Sequence, residues 1–249
     1  MELPTFVISL PDARVRRANM TERLGALGIG FRFVDAIDGR TERPPDKFDG
    51  ARIVRTGFSS EAAIGCALSH RAVHRMIADS ADEWSLVLED DVAMAPDFRE
   101  AVSCAMALRC DVVKLEGSSR AVRRLRVGRL GERSIMVGLL PSINSAAYLI
   151  RREAAVRFCA LTDIDQPIDL AFGDPRLKFR VFDLEPFPAF QDRHTPSEIA
   201  LQPRAQPRHL QSWRKKAFVS SLRRLRIARV YGIGVALRFE LQRLHLLRP

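Results

Sequence analysis

Three consecutive carboxylates, Glu89, Asp90 and Asp91, follow an uninterrupted apolar run in the stretch SLVLEDDVAMAPDF. Adjacent carboxylates repel one another, so this arrangement requires a cation nearby. A hard divalent cation takes oxygen ligands and needs few protein carboxylates when a diphosphate supplies the others. The acids stand beyond the carboxyl end of a buried strand, where open α/β sheets bind their ligands. The pattern predicts a site for a metal and a diphosphate, with a ribose on the remaining acid; a solvated acidic turn is the alternative.

The elements that must position these acids alternate between strands and helices. Apolar runs predict strands at TFVISL, FRFVDAI, WSLVLEDD, DVVKLEG and SINSAAYLI, and a late extended segment at VFDLEPFPAFQD. Helical spacing predicts helices from about residue 12 to 27 and from 60 to 80, then over PDFREAVSCAMAL and RREAAVRFCAL. Residues 39–58 are polar, with prolines and glycines, which predicts a loop. This alternation predicts an α/β fold with an open, mostly parallel sheet.

The net charge of +10 is concentrated in the C-terminal part of the chain. Residues 201–249 contain twelve Arg and Lys side chains and one acid, whereas residues 1–200 hold 28 basic and 29 acidic side chains. A body that bound nucleic acid should carry its own basic face, so the neutral body argues against that class of protein. The sequence also lacks the GxGxxG and GxxxxGKS/T phosphate-binding loops.

The four cysteines have no CxxC spacing and lie in apolar contexts. This predicts buried, reduced thiols and argues against a zinc site. The N-terminus MELPTFVISL lacks the basic and long apolar regions of a signal peptide. No stretch of about eighteen uncharged apolar residues is present, so the sequence predicts no membrane span. We therefore expect a cytoplasmic protein.

The order of several short motifs resembles that of the bacterial lipooligosaccharide glycosyltransferases, glycosyltransferase family 25. The family's opening strand, Arg-rich helix start and A-x-D-G turn are similar to VISLPDARVRRANMTERLGALGIGFRFVDAIDG. Its GE-x-GC-x-x-SH, VLEDD and aYLis-x-x-aA motifs are similar to SSEAAIGCALSH, SLVLEDDV and SINSAAYLIRREAAVRF. Its later P-x-D and QD…S-D/E-I elements are similar to PID and AFQDRHTPSEI. These matches span about residues 5–200, and Ser9 stands where the family usually has Asn.

This resemblance implies a GT-A-like single nucleotide-binding domain over residues 1–200, followed by a basic amphipathic helical segment over residues 201–249. The implied reaction is the inverting transfer of a hexose, often galactose, from a UDP-sugar to a hydroxyl of a glycan or glycolipid. A Mn²⁺ or Mg²⁺ ion would offset the charge that develops on the UDP leaving group.

The resemblance also assigns roles within the acidic triplet. Asp91 is the predicted direct metal ligand, and the roles of the three acids can be exchanged because the sequence does not give side-chain directions. Glu89 is a second ligand or, like Asp90, a group that holds the ribose or metal-bound water. His194 is a further candidate ligand from a loop that closes over UDP.

An inverting single displacement needs a base for the acceptor hydroxyl. Asp169 in QPIDLAF is the first candidate, and a helix N-cap after Pro167 is an equally weighted alternative for it. Asp192 competes for the base role, or acts as a metal ligand beside His194.

Six further residues are expected at the donor, namely Ser9, Arg16, Asp38, Ser69, His70 and Lys114. Arg16 would meet the diphosphate or lie on a solvated helix face, and Asp38 would bind the uridine or form an Asp-Gly turn. Ser69 and His70 would contact the sugar or nucleotide, although a helical histidine is often satisfied in the core. Lys114 would partner the acids or a phosphate, or extend from a strand end into solvent.

The C-terminal segment interleaves basic residues with apolar ones such as Trp213, Phe218 and Tyr231. This composition predicts an interfacial segment on an anionic membrane, peripheral to the cytoplasmic face of the inner membrane. A helix packed on the domain with a solvated basic face, and a disordered basic tail, are the alternatives. The second hypothesis for the whole chain is a non-catalytic membrane- or nucleic-acid-binding protein that keeps a transferase-like fold.

Overall fold

The structure, a computed structural model, describes residues 3–41, 43–117, 124–138, 143–192 and 227–243. Its helices are, in chain order, α1 (Arg14–Ala26), α2 (Glu61–Ala78), α3 (Phe98–Ala105), α4 (Arg152–Cys159), α5 (Ile168–Ala171) and α6 (Ile233–Arg243). Its strands are β1 (Thr5–Ser9), β2 (Arg32–Asp35), β3 (Lys47–Phe48), β4 (Ala51–Ile53), β5 (Trp84–Glu89), β6 (Val92–Met94), β7 (Val112–Lys114), β8 (Arg124–Leu130), β9 (Arg133–Gly138), β10 (Ala147–Arg151), β11 (Asp163–Ile164), β12 (Val181–Glu185) and β13 (Ala189–Gln191). The predicted helices and strands up to residue 192 are present near their expected bounds.

Eight strands form one central sheet, in the order β2–β1–β5–β10–β7–β12–β9–β8. β9 and β10 run against the other six strands, so four of the seven neighbouring pairs are antiparallel. The expectation of a mostly parallel sheet is therefore wrong, and the sheet is mixed. The apolar pattern could not reveal this because a strand buried on both faces has the same composition in either direction.

Helices cover both faces of the central sheet. α1 and α3 pack on one face through Leu24 and Phe98, and α2 and α4 pack on the other through Ile77 and Phe158. Successive side chains of β5 point alternately into these two clusters, so Leu86 and Leu88 lie in one and Val87 in the other. This two-sided burial explains why the strand before the acids is apolar without interruption.

Residues 39–58 contain a hairpin, where the sequence predicted only a loop. β3 and β4 pair antiparallel, and β11 adds to β4 as a third strand. Asp49 and Gly50, at the turn, both have positive φ, 48° and 75°. An Asp-Gly pair with this backbone is typical of two-residue hairpins, so the signal was present. It was missed because the strands are only two and three residues long.

The described part of the C-terminal segment packs on the domain. Residues 227–231 and α6 are helical, and Ile227 and Phe239 are buried against Leu125 and Val137 of the β8–β9 hairpin. The Tyr231 hydroxyl lies 2.7 Å from both the N–H and the carbonyl oxygen of Val181. Ile227 and Phe239 thus share a core with two strands of the central sheet. Residues 201–226 and 244–249 of the predicted C-terminal segment lie outside the described ranges.

All four cysteines are free thiols, but they are not all buried as expected. Cys110 and Cys159 are buried, whereas Cys104 is exposed on α3 and Cys66 is half-buried on α2. Across the described ranges, no helix combines the length and the apolar character that crossing a bilayer requires.

Candidate active site

The carboxyl ends of β1, β5 and β7 meet the start of β10 at one edge of the central sheet. In this register Ile8 lies opposite Glu89, and Lys114 lies opposite Tyr148. The Glu89 N–H donates to the Ala146 carbonyl, 2.7 Å away, which joins the strand exit to the segment before β10. A cleft opens at this edge, and the predicted residues that line it are Ser9, Arg16, Asp38, Ser69, His70, Glu89, Asp90 and Asp91.

One wall of the cleft depends on a close approach between the segment after β2 and helix α2. A Cβ on Gly65 would lie 2.4 Å from the Ile37 carbonyl oxygen, and one on Gly39 would lie 2.0 Å from the Glu61 carbonyl oxygen. Ser69 fixes this approach, because its hydroxyl accepts from the Ile37 N–H and donates to the Gly65 carbonyl, both at 2.8 Å. The Ser69 hydroxyl is thus engaged with backbone, although it borders the cleft.

The same wall presents Asp38 at the cleft. Its carboxylate accepts hydrogen bonds from the side chain and the backbone N–H of Arg40, at 2.8–2.9 Å. The hydrogen bond from the Arg40 guanidinium holds the pKa of Asp38 below its usual value. Asp38 is therefore an ionised acceptor at the mouth of the cleft, tied to a neighbouring arginine.

Asp90 is held by two donors from the first βα unit. The Ser9 hydroxyl donates to one carboxylate oxygen at 2.6 Å, and the Arg16 guanidinium donates to the other at 3.1 Å. Arg17 in turn donates to the backbone carbonyls of Ser9 and Leu10 at 2.9 and 3.1 Å, which fixes the strand end. Ser9 and Arg16 thus reach the acidic triplet, and they supply the counter-charge and hydrogen bond that Asp90 needs.

Glu89 is oriented by a chain of buried side chains. His70 contacts it through Nε2 at 3.2 Å, and Ser145 donates to it at 3.3 Å. The other ring nitrogen of His70 lies 2.9 Å from the Tyr148 hydroxyl, which lies 2.8 Å from Nε2 of His74. Burial alone would raise the pKa of Glu89, but its hydrogen bonds to His70 and Ser145 bring that pKa below the usual value. His70 is therefore both a satisfied core residue and a wall of the cleft.

Asp91 is the least satisfied member of the triplet. It is 8% exposed, and its Oδ1 has no hydrogen-bond partner among the described residues. Within the described ranges, its other oxygen accepts one long hydrogen bond, 3.4 Å, from the Gln191 amide. Burial, reinforced by the charges of Glu89 and Asp90, raises the pKa of Asp91 to about 7. The charge of Arg16 opposes this rise but does not offset it. A divalent cation would supply the further positive charge and a partner for the unbonded oxygen.

Lys114 anchors a second group of polar residues behind the triplet. It is fully buried, and its ammonium donates to the Asn144 carbonyl and lies 5.4 Å from the centre of the Phe172 ring. Burial lowers the pKa of Lys114, and the carboxylates of Asp183 and Glu116 act against that change. Lys114 is therefore a buried cation near the acids, as one of the sequence interpretations held, and it does not extend into solvent.

Asp169 lies beside this group. Pro167, not Asp169, occupies the N-cap of α5, so the capping alternative is wrong. The Asp169 carboxylate accepts from the N–H of Leu170 at 2.9 Å and from the N–H of Asn144 at 3.4 Å. The side chain is half-buried, and its charge acts on Lys114 and on the Cys66 thiol.

Asp192 faces a different partner. Its carboxylate pairs with Arg23 of α1 at 2.5 Å, while its N–H donates to the Asp91 carbonyl at 2.7 Å. It is not among the residues that line the cleft, and its neighbour Gln191 takes that position. The carboxylate of Asp192 is thus paired with Arg23, outside the lining of the cleft. His194 lies outside the described residues.

Sequence reasoning did not single out several residues that complete the site, namely Cys66, Glu116, Asn144, Ser145, Tyr148 and Gln191. Cys66 lines the cleft and lies one helical turn before His70, which was a usable signal. Glu116 is a buried acid on the same side of its segment as Lys114, and it accepts from the Asn144 amide at 2.9 Å. Burial raises the pKa of Glu116.

Comparisons with known proteins point to one family. The profile of glycosyltransferase family 25 (LPS biosynthesis protein) matches residues 2–172. A candidate glycosyltransferase of Acanthamoeba polyphaga mimivirus is 37% identical over 107 residues, which cover 42% of this chain and 33% of that protein. The chain thus spans about a third of the length of this relative.

Two further relatives differ in what their names say of activity. The lacto-N-neotetraose biosynthesis glycosyltransferase LgtB of Neisseria meningitidis is 28% identical over 215 residues, covering 77% of this chain and 75% of that protein. The inactive glycosyltransferase 25 family member 3 of Mus musculus is 31% identical over 109 residues, covering 41% of this chain and 18% of that protein. Similarity to these proteins therefore does not decide whether this chain is active, and the residues of its site must be considered for that question.

Proposed function

Because the chain belongs to glycosyltransferase family 25, we propose that it is a glycosyltransferase of lipopolysaccharide or lipooligosaccharide biosynthesis. In this proposal it moves a hexose, galactose in the first instance, from a UDP-sugar to a saccharide hydroxyl, with inversion, on a GT-A-like domain. The alignment with LgtB, whose name places it in lacto-N-neotetraose biosynthesis, covers 77% of this chain and supports a saccharide acceptor.

The observation that carries the proposal is the state of Asp91. It is buried, one of its oxygens has no hydrogen-bond partner among the described residues, and two further acids adjoin it. An oxygen-rich site with an unmatched negative charge fits a hard divalent cation, Mn²⁺ or Mg²⁺, with Asp91 as direct ligand and Glu89 as the second candidate. When bound with the donor, such a cation would offset the negative charge that develops on the UDP leaving group.

The residues around the acids suit the rest of the donor. Arg16 borders the cleft and brings a guanidinium to the position that a diphosphate would occupy near Asp90. Asp38, ionised at the mouth of the cleft, is an acceptor for a uridine or ribose donor group. Ser69 and His70 act by shaping the wall and orienting Glu89, since their polar atoms already have partners within the protein.

The acceptor hydroxyl must lose its proton as its oxygen attacks the anomeric carbon and the bond to the diphosphate breaks. Asp169 is the proposed base, because it is half-buried beside Lys114 and its charge acts on the same cluster as Glu89. Asp192 is the weaker candidate, since Arg23 already neutralises it.

A screen of UDP-sugars for cation-dependent hydrolysis and transfer tests the proposal. We expect activity with Mn²⁺ or Mg²⁺, loss of activity with a chelator, and a loss on the order of 10³-fold for Asp91→Asn. Asp79→Asn, which changes an exposed carboxylate at the end of α2, is the matched control and should keep wild-type activity. Full activity in Asp91→Asn, or in the chelated wild type, would exclude the cation mechanism.

The same screen separates this function from the non-catalytic alternative. A transferase-like binding protein would bind UDP or a glycan without turning over any UDP-sugar. The intact acidic triplet at the cleft favours an enzyme, although the family includes a member named as inactive in Mus musculus.

We also propose that the C-terminal helix meets an anionic membrane surface, where a glycolipid acceptor would lie. Three apolar side chains on α6, Ile233, Leu237 and Leu241, are exposed and recur at four-residue spacing, which places them in one outward stripe. The twelve basic residues of the segment 201–249 would add attraction to acidic headgroups, at about 1 kcal/mol for each one that reaches the surface.

Sedimentation with liposomes tests the membrane proposal. Changing Ile233, Leu237 and Leu241 together to Gln should weaken binding to anionic vesicles, because the stripe supplies the apolar anchor. Val156→Gln, at a half-exposed apolar side chain on α4, is the control and should bind as the wild type does. Equal binding by the triple variant would show that α6 does not insert.

A further inference from the structure

Cys66, His70 and Glu89 bring three metal-binding atoms together in the cleft. The Cys66 sulfur, a His70 ring nitrogen and a Glu89 oxygen all lie within 4.8 Å of one another. Cys66 and His70 are one turn apart on α2 and therefore share a face of that helix, while Glu89 ends β5. One thiolate, one imidazole and one carboxylate form a donor set that suits zinc and leaves a fourth position open.

The spacing of two of these atoms already fits a tetrahedral ion. His70 Nε2 and Glu89 Oε1 are 3.2 Å apart. Two ligands bonded to zinc at ordinary lengths of about 2.0–2.1 Å are separated by roughly 3.3 Å in a tetrahedron. Cys66 is a free thiol, so no disulfide has to be reduced before a metal binds it.

The surroundings supply the hydrogen bonds that orient metal ligands. Histidines that bind metals are usually held through their second ring nitrogen, and carboxylate ligands are usually hydrogen-bonded in turn. Nδ1 of His70 lies 2.9 Å from the Tyr148 hydroxyl, which His74 contacts from the far side at 2.8 Å. Ser145 holds Glu89. The Tyr148 hydroxyl can donate or accept, so it can serve His70 when the ring proton moves to Nδ1.

We propose that Cys66, His70 and Glu89 form a second cation site, for a soft or borderline divalent ion such as Zn²⁺, which adjoins the hard-cation position at Asp91 and shares Glu89 with it. On binding, the Cys66 thiol releases its proton to solvent, and His70 coordinates through Nε2 with its proton on Nδ1. The site does not depend on the proposed transferase activity. Zinc spacing rules for the sequence alone missed it, because its ligands come from one helix and the end of a distant strand.

Co²⁺ titration of the full-length protein tests this site, because cobalt bound to a thiolate gives a near-ultraviolet charge-transfer band. We expect the band in the wild type, its displacement by Zn²⁺, and its loss in Cys66→Ser. The matched control Cys104→Ser removes the exposed thiol of α3 and should keep the band. Asp91→Asn should also keep it, since an oxygen-ligated cobalt ion at Asp91 produces no thiolate band.

Tyr148→Phe tests whether the Tyr148 hydroxyl orients His70 for metal binding. It removes only the hydroxyl that faces His70, and it should weaken Co²⁺ binding by about 10-fold to 100-fold while the band itself remains. Unchanged affinity in this variant would contradict the role given to Tyr148.

A second measurement uses the wild type alone and does not depend on how the variants fold. Zn²⁺ should protect Cys66 from alkylation, as mapped by mass spectrometry, while Cys104 stays reactive. Absence of the band in the wild type, a band that survives in Cys66→Ser, or a Cys66 that zinc leaves unprotected would each overturn the proposal. The band and the protection both report on Cys66, which has no part in the proposed transfer, so a failure here is distinguishable from a failure of UDP-sugar turnover.

Discussion

Arg71 and Asp91 are both buried ionisable groups, but the surrounding residues provide hydrogen-bond partners for all of Arg71 and for only part of Asp91. Arg71, on α2, is 1% exposed, and each of its three guanidinium nitrogens has a partner. Its guanidinium donates to Asp49 in the β3–β4 turn and to the carbonyls of Phe158, Cys159 and Leu161 around the end of α4. Asp91 is also buried, but one oxygen lacks any hydrogen bond among the described residues, and the charges of Glu89 and Asp90 act on it more strongly than that of Arg16.

This difference distinguishes a buried residue with a structural role from one with a functional role. A buried charge with all its hydrogen bonds made, as at Arg71, joins segments that would otherwise leave polar groups unpaired. A buried carboxyl group whose ionised form is disfavoured, as at Asp91, lowers stability when it ionises, and such groups are found where a ligand supplies the missing positive charge. Substituting Arg71 should therefore lower the free energy of unfolding and leave the catalytic activity of the folded protein unchanged. Substituting Asp91 should lower the activity without lowering the free energy of unfolding.

The largest effect on stability is expected at Arg71. Arg71→Met should lower the free energy of unfolding by about 3–5 kcal/mol, because the carbonyls of Phe158 and Cys159 at the end of α4 would be left buried without their donor. Activity per folded molecule should stay near that of the wild type. Urea denaturation followed by circular dichroism gives the change.

Arg75→Met is the control for that loss. Arg75 binds the same carboxylate of Asp49 at 2.9 Å, but its side chain is 42% exposed. Water replaces a partner of this kind, so the change should cost at most about 1 kcal/mol. Similar losses in the two variants would show that burial does not distinguish them.

The next effect is the pH dependence of stability in cation-free protein. The pKa of Asp91 is raised to about 7 from an unfolded value of 3.8, so between these values the folded state holds a proton that the unfolded state releases. The free energy of unfolding should therefore fall as pH rises from about 4 to about 7, by on the order of 4 kcal/mol, and level off above.

Asp91→Asn isolates this contribution. With a chelator present, the variant should lack this part of the slope and should be more stable than the wild type at pH 8. Denaturant unfolding at pH 5 and pH 8 measures both proteins. Parallel pH profiles would mean that Asp91 carries no raised pKa and that the contrast with Arg71 is false.

A smaller effect, confined to catalysis, is expected at Asp169. The hydrogen bonding of this carboxylate is intermediate between that of Arg71 and that of Asp91, because it accepts from the backbone N–H groups of Leu170 and Asn144. Asp169→Asn keeps the shape of those contacts and should lower kcat by about 10²-fold if Asp169 takes the acceptor proton. Affinity for the UDP-sugar should hardly change. A weaker affinity with intact kcat would make Asp169 a structural residue.

The sequence was sufficient to locate the acidic triplet and the strands beside it. Glu89 follows a run that is buried on both faces, so its position at the strand exit did not depend on distant contacts. Helix α2 was equally clear, and Ser60 accepts from the Ala63 N–H at 3.2 Å in the capping position expected for Ser59 or Ser60. Local pattern fixes such elements because their burial and caps lie within the same segment.

The parts that could not be predicted depend on pairings between distant segments. β10 enters antiparallel between β5 and β7, and only that insertion brings Asn144, Ser145 and Tyr148 to the acids. Likewise, the packing of Phe239 on the β8–β9 hairpin joins residues more than one hundred positions apart. Periodicity identifies a buried face but not the partner that covers it, so these contacts became visible only in the folded chain.

The most direct test is calorimetric titration of Mn²⁺ into the wild type and Asp91→Asn in the presence of UDP. The account predicts that the wild type binds the ion and that the variant binds it at least about tenfold more weakly, as expected when a ligand is lost. Equal Mn²⁺ affinity in the two proteins would contradict it, because the unmatched charge of Asp91 would then have no part in holding a cation.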